Sequence, residues 1–165
     1  MRLQTSLSLH HASVIVDEAL RLGREENLLP LTVVVLDAGG KLIAVKSEDG
    51  SGIIRFDVAF GKAWGALGMG ISSRLIRDRL VSRPTFQAAL ATASDGRLIP
   101  VPGGVLVRDE QAFTIGAVGI SGDTSDKDEY CAIEAIRLAG LFSEPEEPAE
   151  GWRESSLSDT YPGER

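Results

Sequence analysis

Apolar positions recur at helical spacing near the start of the chain, where Ala12, Ile15, Val16, Ala19 and Leu20 share one face of a segment running from an N-cap at Ser8 to about Glu26. The period then changes. Leu31 to Leu36 is a continuous β-branched run, Asp37-Ala-Gly-Gly40 has turn chemistry, and Lys41 to Lys46 reads as the second strand of a hairpin. Beyond a polar loop, Ser47 to Gly52, a second helix is expected over about Ile54 to Leu67. Gly68-Met-Gly70 should break it, with short helices following at Ser72 to Leu80 and after Pro84.

The second half is shorter-grained. Leu98 to Val101 and Val105 to Val107 read as β-like segments separated by Pro102-Gly103-Gly104, and Arg108 to Gln111 turns into a strand over Phe113 to Ile120. A closing helix is expected from about Ser125 to Leu141. Because the strands connect mainly through short turns, the pattern predicts an α+β domain whose sheet is largely antiparallel with helices packed on it.

The junction before the last helix carries the densest chemistry. Gly122 permits backbone conformations other residues resist, Thr124 or Ser125 can cap the helix, and Asp126, Asp128 and Glu129 place carboxylates at the positive end of its dipole. Two readings fit these residues: a capped helix start without a ligand, or an anion site at the exposed N–H groups, although the carboxylates argue against phosphate; the same carboxylates suit acid–base work, and without EF-hand spacing or a His/Cys constellation no metal is expected.

Composition narrows the function classes. The 165 residues are 43% hydrophobic and 25% charged, ordinary for one globular domain, and no apolar run approaches the roughly 20 residues that span a bilayer. With no secretion signal at the N-terminus, a cytoplasmic location without membrane contact is expected. The formal charge of −7 disfavours nucleic acid as a partner. From Ser143 onward there are seven acidic and two basic residues, a local charge of −5. This Pro/Glu/Ser-rich stretch predicts a domain over residues 1–142 and a flexible tail over 143–165. Trp152 and Tyr161 are the tail residues able to dock on a neighbouring surface. The lone Cys131, on an apolar helix stripe, reads as a core residue.

Four places taken together resemble one family. The Asp37-Ala-Gly-Gly40 turn, the Asp57-Val-Ala-Phe-Gly-Lys62-Ala segment, Pro102-Gly-Gly104 with Arg108-Asp109, and Ile115 to Gly122 with Asp128-Glu129 are similar in order and spacing to the GlcG/HbpS family across residues 7 to 142. That family includes haem-binding HbpS proteins and the C-terminal domain of PduO-type corrinoid adenosyltransferases. The resemblance implies a profilin-like fold with a five-stranded antiparallel sheet and flanking helices. It also implies assembly as homodimers or higher homo-oligomers such as octamers, and a small-molecule pocket with haem as the best-attested cofactor.

Candidate ligand-binding residues follow from that frame. His10 and His11, the only histidines, lie roughly 100° apart on the first helix, and a helix-borne histidine is the axial ligand in some PduO-type relatives. Arg55 and Lys62 are seven residues apart, share a helix face and could meet propionates or another dianion. Asp57 and Lys62 point roughly 140° apart. Gly103 and Gly104 either admit a ligand close to the backbone or form a turn. Asp123 and Glu129 are the acid–base candidates, and Trp64 either walls a flat cofactor or fills core. On these residues the resemblance implies an oligomeric haem- or small-molecule-binding protein of the GlcG/HbpS type. The alternatives are a tautomerase- or lyase-like enzyme on a small organic acid, and a structural accessory protein.

Overall fold

A computed structural model describes residues 4–157. The order is α1 (Leu9–Glu25), β1 (Thr32–Asp37), β2 (Leu42–Ser47), α2 (Arg55–Met69), α3 (Ser73–Leu80), α4 (Pro84–Ala93), β3 (Gly104–Arg108), β4 (Thr114–Ser121), α5 (Ser125–Leu138) and β5 (Phe142–Glu144). The strands form one antiparallel sheet, β2-β1-β4-β3-β5, confirming the expected α+β class.

Both faces of the sheet's centre are covered, which is why Leu31 to Leu36 is apolar without alternation. Val33, Val35, Val105, Val107, Val118 and Ile120 pack against Ile15, Val16, Ile133 and Ile136 of α1 and α5. On the other face Val34, Leu36, Leu106 and Ala117 meet Ala59, Ala63 and Ala66 of α2. Burying each large aliphatic side chain stabilises by about 1.5–3 kcal/mol, so the α1/α5 side carries most of the apolar gain. The α2 side uses small residues and sits closer. A Cβ added at Gly119 of β4 would fall 1.9 Å from the Ala59 carbonyl oxygen.

Several boundaries differ from the sequence reading for local reasons. Ser8 does cap α1, accepting from the His11 N–H at 3.2 Å. Helix α2 runs through Gly68 and stops at Gly70, whose left-handed φ of 67° suits a helix end. Leu98 to Val101 is not a strand. It lies along α2, where Ile99 and Leu98 fill the space left by Gly61 and Gly65, and the Ile99 N–H donates to the Gly61 carbonyl at 3.3 Å. Helix α5 ends three residues early, before Gly140.

The largest difference is at residue 143. The strand Phe142–Glu144 crosses the expected domain boundary, pairing with β3 and completing the sheet. The following residues lie on the body. Trp152 stacks on Tyr130 of α5, ring centroids 3.7 Å apart and 10° from parallel, while Arg153 forks onto Glu26 at the end of α1 with bonds of 3.0 and 2.6 Å. Composition concealed this because two aromatic rings and a bidentate ion pair anchor an otherwise polar segment. Tyr161 lies outside the described residues.

Candidate functional site

Helix α2 has two unlike faces, and they separate the candidate residues. Arg55, Ala59, Lys62, Ala63 and Ala66 turn toward the sheet, so Arg55 and Lys62 share a face as their spacing implies. Lys62 is not open to a propionate or another dianion in this chain, because its ammonium is already engaged. Only 2% exposed, it places Nζ 2.8 Å from the Ile120 carbonyl oxygen and 2.9 Å from Asp128 Oδ2, and the other Asp128 oxygen accepts from the Asp123 N–H at 3.1 Å. The physical reason is the small-residue face of α2, which brings the helix close enough for a long side chain to lie along the sheet.

Gly103 and Gly104 roof this ion pair. Gly103 has φ +110°, and a Cβ there would meet Lys62 Nζ at 2.9 Å; a Cβ at Gly104 would fall 2.3 Å from the Lys62 carbonyl oxygen. The Gly104 N–H donates to Ser73 Oγ at 2.7 Å, and Gly103 O accepts from the Ile120 N–H at 3.0 Å. The glycines therefore admit backbone and ammonium, not open space. Burial pushes the Asp128 carboxyl above its ordinary range, opposed by the Lys62 charge and its hydrogen bond and by the Asp123 N–H. A buried pair of this kind contributes little net stability, yet removing one partner strands the other.

The acid–base candidates are also bound inward. Asp123 accepts from Leu29 N–H at 2.9 Å and from Thr124 N–H at 2.7 Å, tying the junction to the end of α1. Glu129 is fully buried, and neither carboxylate oxygen has a hydrogen-bond partner. Burial raises its pKa from 4.5 to about 7; the Arg74 guanidinium, 3.3 Å away, opposes that rise, and Asp126 adds to it. Cys131 is buried as expected, and burial pushes its thiol upward. Asp37 and Asp109 organise turns: one accepts from Gly39 and Lys41 N–H, the other from Gln111 and Phe113 N–H.

His10 and His11 stand at the opposite end of the sheet. Their helix starts beside Ala38, whose N–H donates to Ser6 Oγ, whereas the Lys62 pair lies at the Ser121 end of β4. His10 is exposed, and His11 Nδ1 lies 3.0 Å from Ser8 Oγ. One chain does not bring the histidines to Arg55, Lys62 or the glycines. Arg55 itself is half-buried, its guanidinium 3.2 Å from Ser121 Oγ.

The outer face of α2 presents what sequence reasoning missed. Phe56 and Phe60, ring centroids 6.0 Å apart, join Ile54 and Ile99 as the apolar wall of a groove of about 470 Å³, closed on one side by Asp95, Gly96 and Arg97. Asp57 stands on the same rim. Arg97 is held over the Trp64 ring at 4.7 Å, donates from Nε to the Ser94 carbonyl at 3.2 Å and lies 3.7 Å from the largely exposed Asp95 carboxylate, so Trp64 orients at the groove's edge a cation whose one ion pair is long and open to solvent. The signal was present as an i, i+4 aromatic pair opposite a face of Ala and Gly. A second depression of about 320 Å³, near Phe142, has its Arg137 already engaged by Glu134 and Glu147. Among the described residues no group of three or more His, Cys, Asp or Glu is placed to hold a metal ion. No described helix is long and apolar enough to cross a membrane.

Solved structures share this architecture. A PduOC–haem complex superposes with a TM-score of 0.75 at 22% identity, covering 84% of this chain and 98% of that one. The Klebsiella pneumoniae protein ORFY, of the DUF336 family, gives 0.74 at 25%, covering 85% and 94%. HbpS gives 0.70 at 21%, covering 84% and 93%. No curated protein matches at the level of sequence. The family model described as haem degrading protein HbpS-like matches residues 7–137, and the chain belongs to that HbpS-like family.

Proposed function

We propose that this protein is a cytoplasmic, homo-oligomeric haem-binding protein that receives the porphyrin, or a similarly flat amphipathic anion, in the groove outside α2. The observation carrying this reading is the Phe56–Phe60–Ile54–Ile99 wall with Arg97 held at its edge. Aromatic and aliphatic walls suit the ring's apolar face, and an oriented guanidinium suits a propionate. Family membership and the fold shared with a PduOC–haem complex support the choice of ligand.

The groove offers no imidazole or thiolate of its own. An axial histidine, where one is used, comes from His10 or His11 of a neighbouring copy in an oligomer. Arg55, Lys62, Gly103, Gly104, Asp123 and Glu129 act in this reading as the frame that fixes α2 and the junction, with Arg55 the half-open member.

Haemin titration followed by the Soret band tests this. The wild type should saturate, and Phe56→Ala/Phe60→Ala should weaken affinity at least about tenfold, since two large apolar contacts exceed the 1.4 kcal/mol that a factor of ten requires. A wild type without a saturable shift would overturn the reading. The double variant His10→Ala/His11→Ala reports on the iron: a displaced Soret band assigns an imidazole ligand, and an unchanged one assigns binding to the groove alone.

A further inference from the structure

The sheet face under α2 ends in a row of hydroxyls. Ser47 of β2, Thr32 of β1 and Ser121 of β4 stand at one register position on neighbouring strands, and Ser51 joins them from the loop that leads to α2. Thr32 Oγ1 donates to Ser47 Oγ at 2.9 Å, and because a hydroxyl has one proton, the 2.8 Å bond between Thr32 and Ser51 is donated by Ser51. Ser121, 1% exposed, accepts from Arg55 Nη1 at 3.2 Å, and its own proton goes to none of the described residues. The rest of the Arg55 guanidinium fork likewise donates to none of them.

Charge at this end of the sheet is unbalanced. Lys62 takes the Asp128 carboxylate directly at 2.9 Å, and Arg55 acts on that carboxylate without a bond to it, so two cations face one buried anion. The carboxylates of the adjoining turns are engaged elsewhere: Asp123 accepts from the Leu29 and Thr124 N–H groups and stands 3.5 Å from Lys127, and Glu48 is held by Arg24 and the Leu31 N–H. Among the described residues no carboxylate pairs with Arg55. Arg55 and Ser51 are half-buried, so solvent reaches the position.

We infer that Arg55 and Ser121 form a binding site for a small monocarboxylate between α2 and this hydroxyl row. A carboxylate matches the fork of the guanidinium and has a further lone pair for the unused Ser121 proton. One unbalanced positive charge favours a singly charged ligand over a dianion. Arg55 faces the sheet, whereas Phe56 and Phe60 wall the groove on the outer side, so the site is separate from the haem groove and does not rest on that reading.

Acetate titrated into the full chain at constant ionic strength, with sodium chloride as the balancing salt, tests the site through the backbone amide resonances of Arg55 and Ser121. The wild-type shifts should saturate, and sulfate at the same ionic strength should shift them less. Arg55→Lys keeps the charge and loses the fork, so acetate affinity should fall at least about tenfold. Ser121→Ala removes the second donor with Arg55 in place and should weaken binding about threefold. Far-UV circular dichroism checks that each variant folds, and Ser121→Ala carries the test if the Arg55 variant does not. Shifts that never saturate, that chloride alone reproduces, that sulfate matches, or whose midpoint the folded variants leave unchanged overturn the site. Haemin binding in the groove is read separately from the Soret band, so either result stands without the other.

Discussion

The junction around Lys62 and the arm formed by α4 lie on the same side of the sheet and are made of opposite materials. At the junction an ammonium, a carboxylate, two glycines and the end of a strand satisfy one another within a single chain, and little is left for solvent. Along α4 neutral small residues stand in water with almost nothing against them. The contrast shows where one chain is complete and where it asks for something outside. It also explains why the glycine-rich motifs that mark the family do not form the groove: they hold the helix whose other face does.

The largest effect expected from breaking the sealed side comes from Lys62→Met, which leaves Asp128 buried without its partner. A loss of about 3–5 kcal/mol should appear as an earlier urea midpoint, and Lys62→Met/Asp128→Leu should recover most of it. A single variant as stable as the wild type would show the pair to be solvated.

Glu129 sharpens the comparison because, among the described residues, it is the buried group whose oxygens accept no hydrogen bond, with only the Arg74 guanidinium 3.3 Å away. Its folded pKa of about 7 lies above its ordinary 4.5, so the folded state holds the proton more tightly than the unfolded one. The corresponding stability is present in full below about pH 4.5 and is lost as pH rises through about 7. Glu129→Gln removes that loss, and the variant should gain on the wild type by about 3 kcal/mol between pH 4.5 and pH 8.5. Urea midpoints measured at the two pH values would show parallel curves if Glu129 were ordinary.

A smaller effect probes the segment after β5. Trp152→Ala removes the stack on Tyr130 and should cost about 1 kcal/mol, with a weakened near-UV circular dichroism signal. An unchanged spectrum would detach the segment from α5.

Much of the fold was legible because period and punctuation agree: the alternation of helical spacing, β-branched runs and glycine turns located every α-helix and every strand but β5, while also placing at Leu98 to Val101 a strand that does not form and missing the short turn of helix at Trp152–Glu154. Strand β5 has three residues, too few for a pattern, and is specified by pairing with β3. The candidate residues were legible as a family signature and not as a site. Spacing correctly put Arg55 and Lys62 on one face, but which face turns inward depends on where Gly119 and the alanines allow close approach. The groove was hidden for the same reason, since Phe56 and Phe60 look like core residues until the opposite face is seen to be the buried one.

Gly119 touching the Ala59 carbonyl has a consequence for how this protein can change over generations. Where backbone rests on backbone, the height of α2 above the sheet is not adjustable by small steps, because the smallest available side chain already overlaps the helix. Variation in ligand size or shape must then come from the outer side, through residues 54, 56 and 60 and the connection after α4. A lineage can refit its groove there repeatedly while the floor beneath it stays the same.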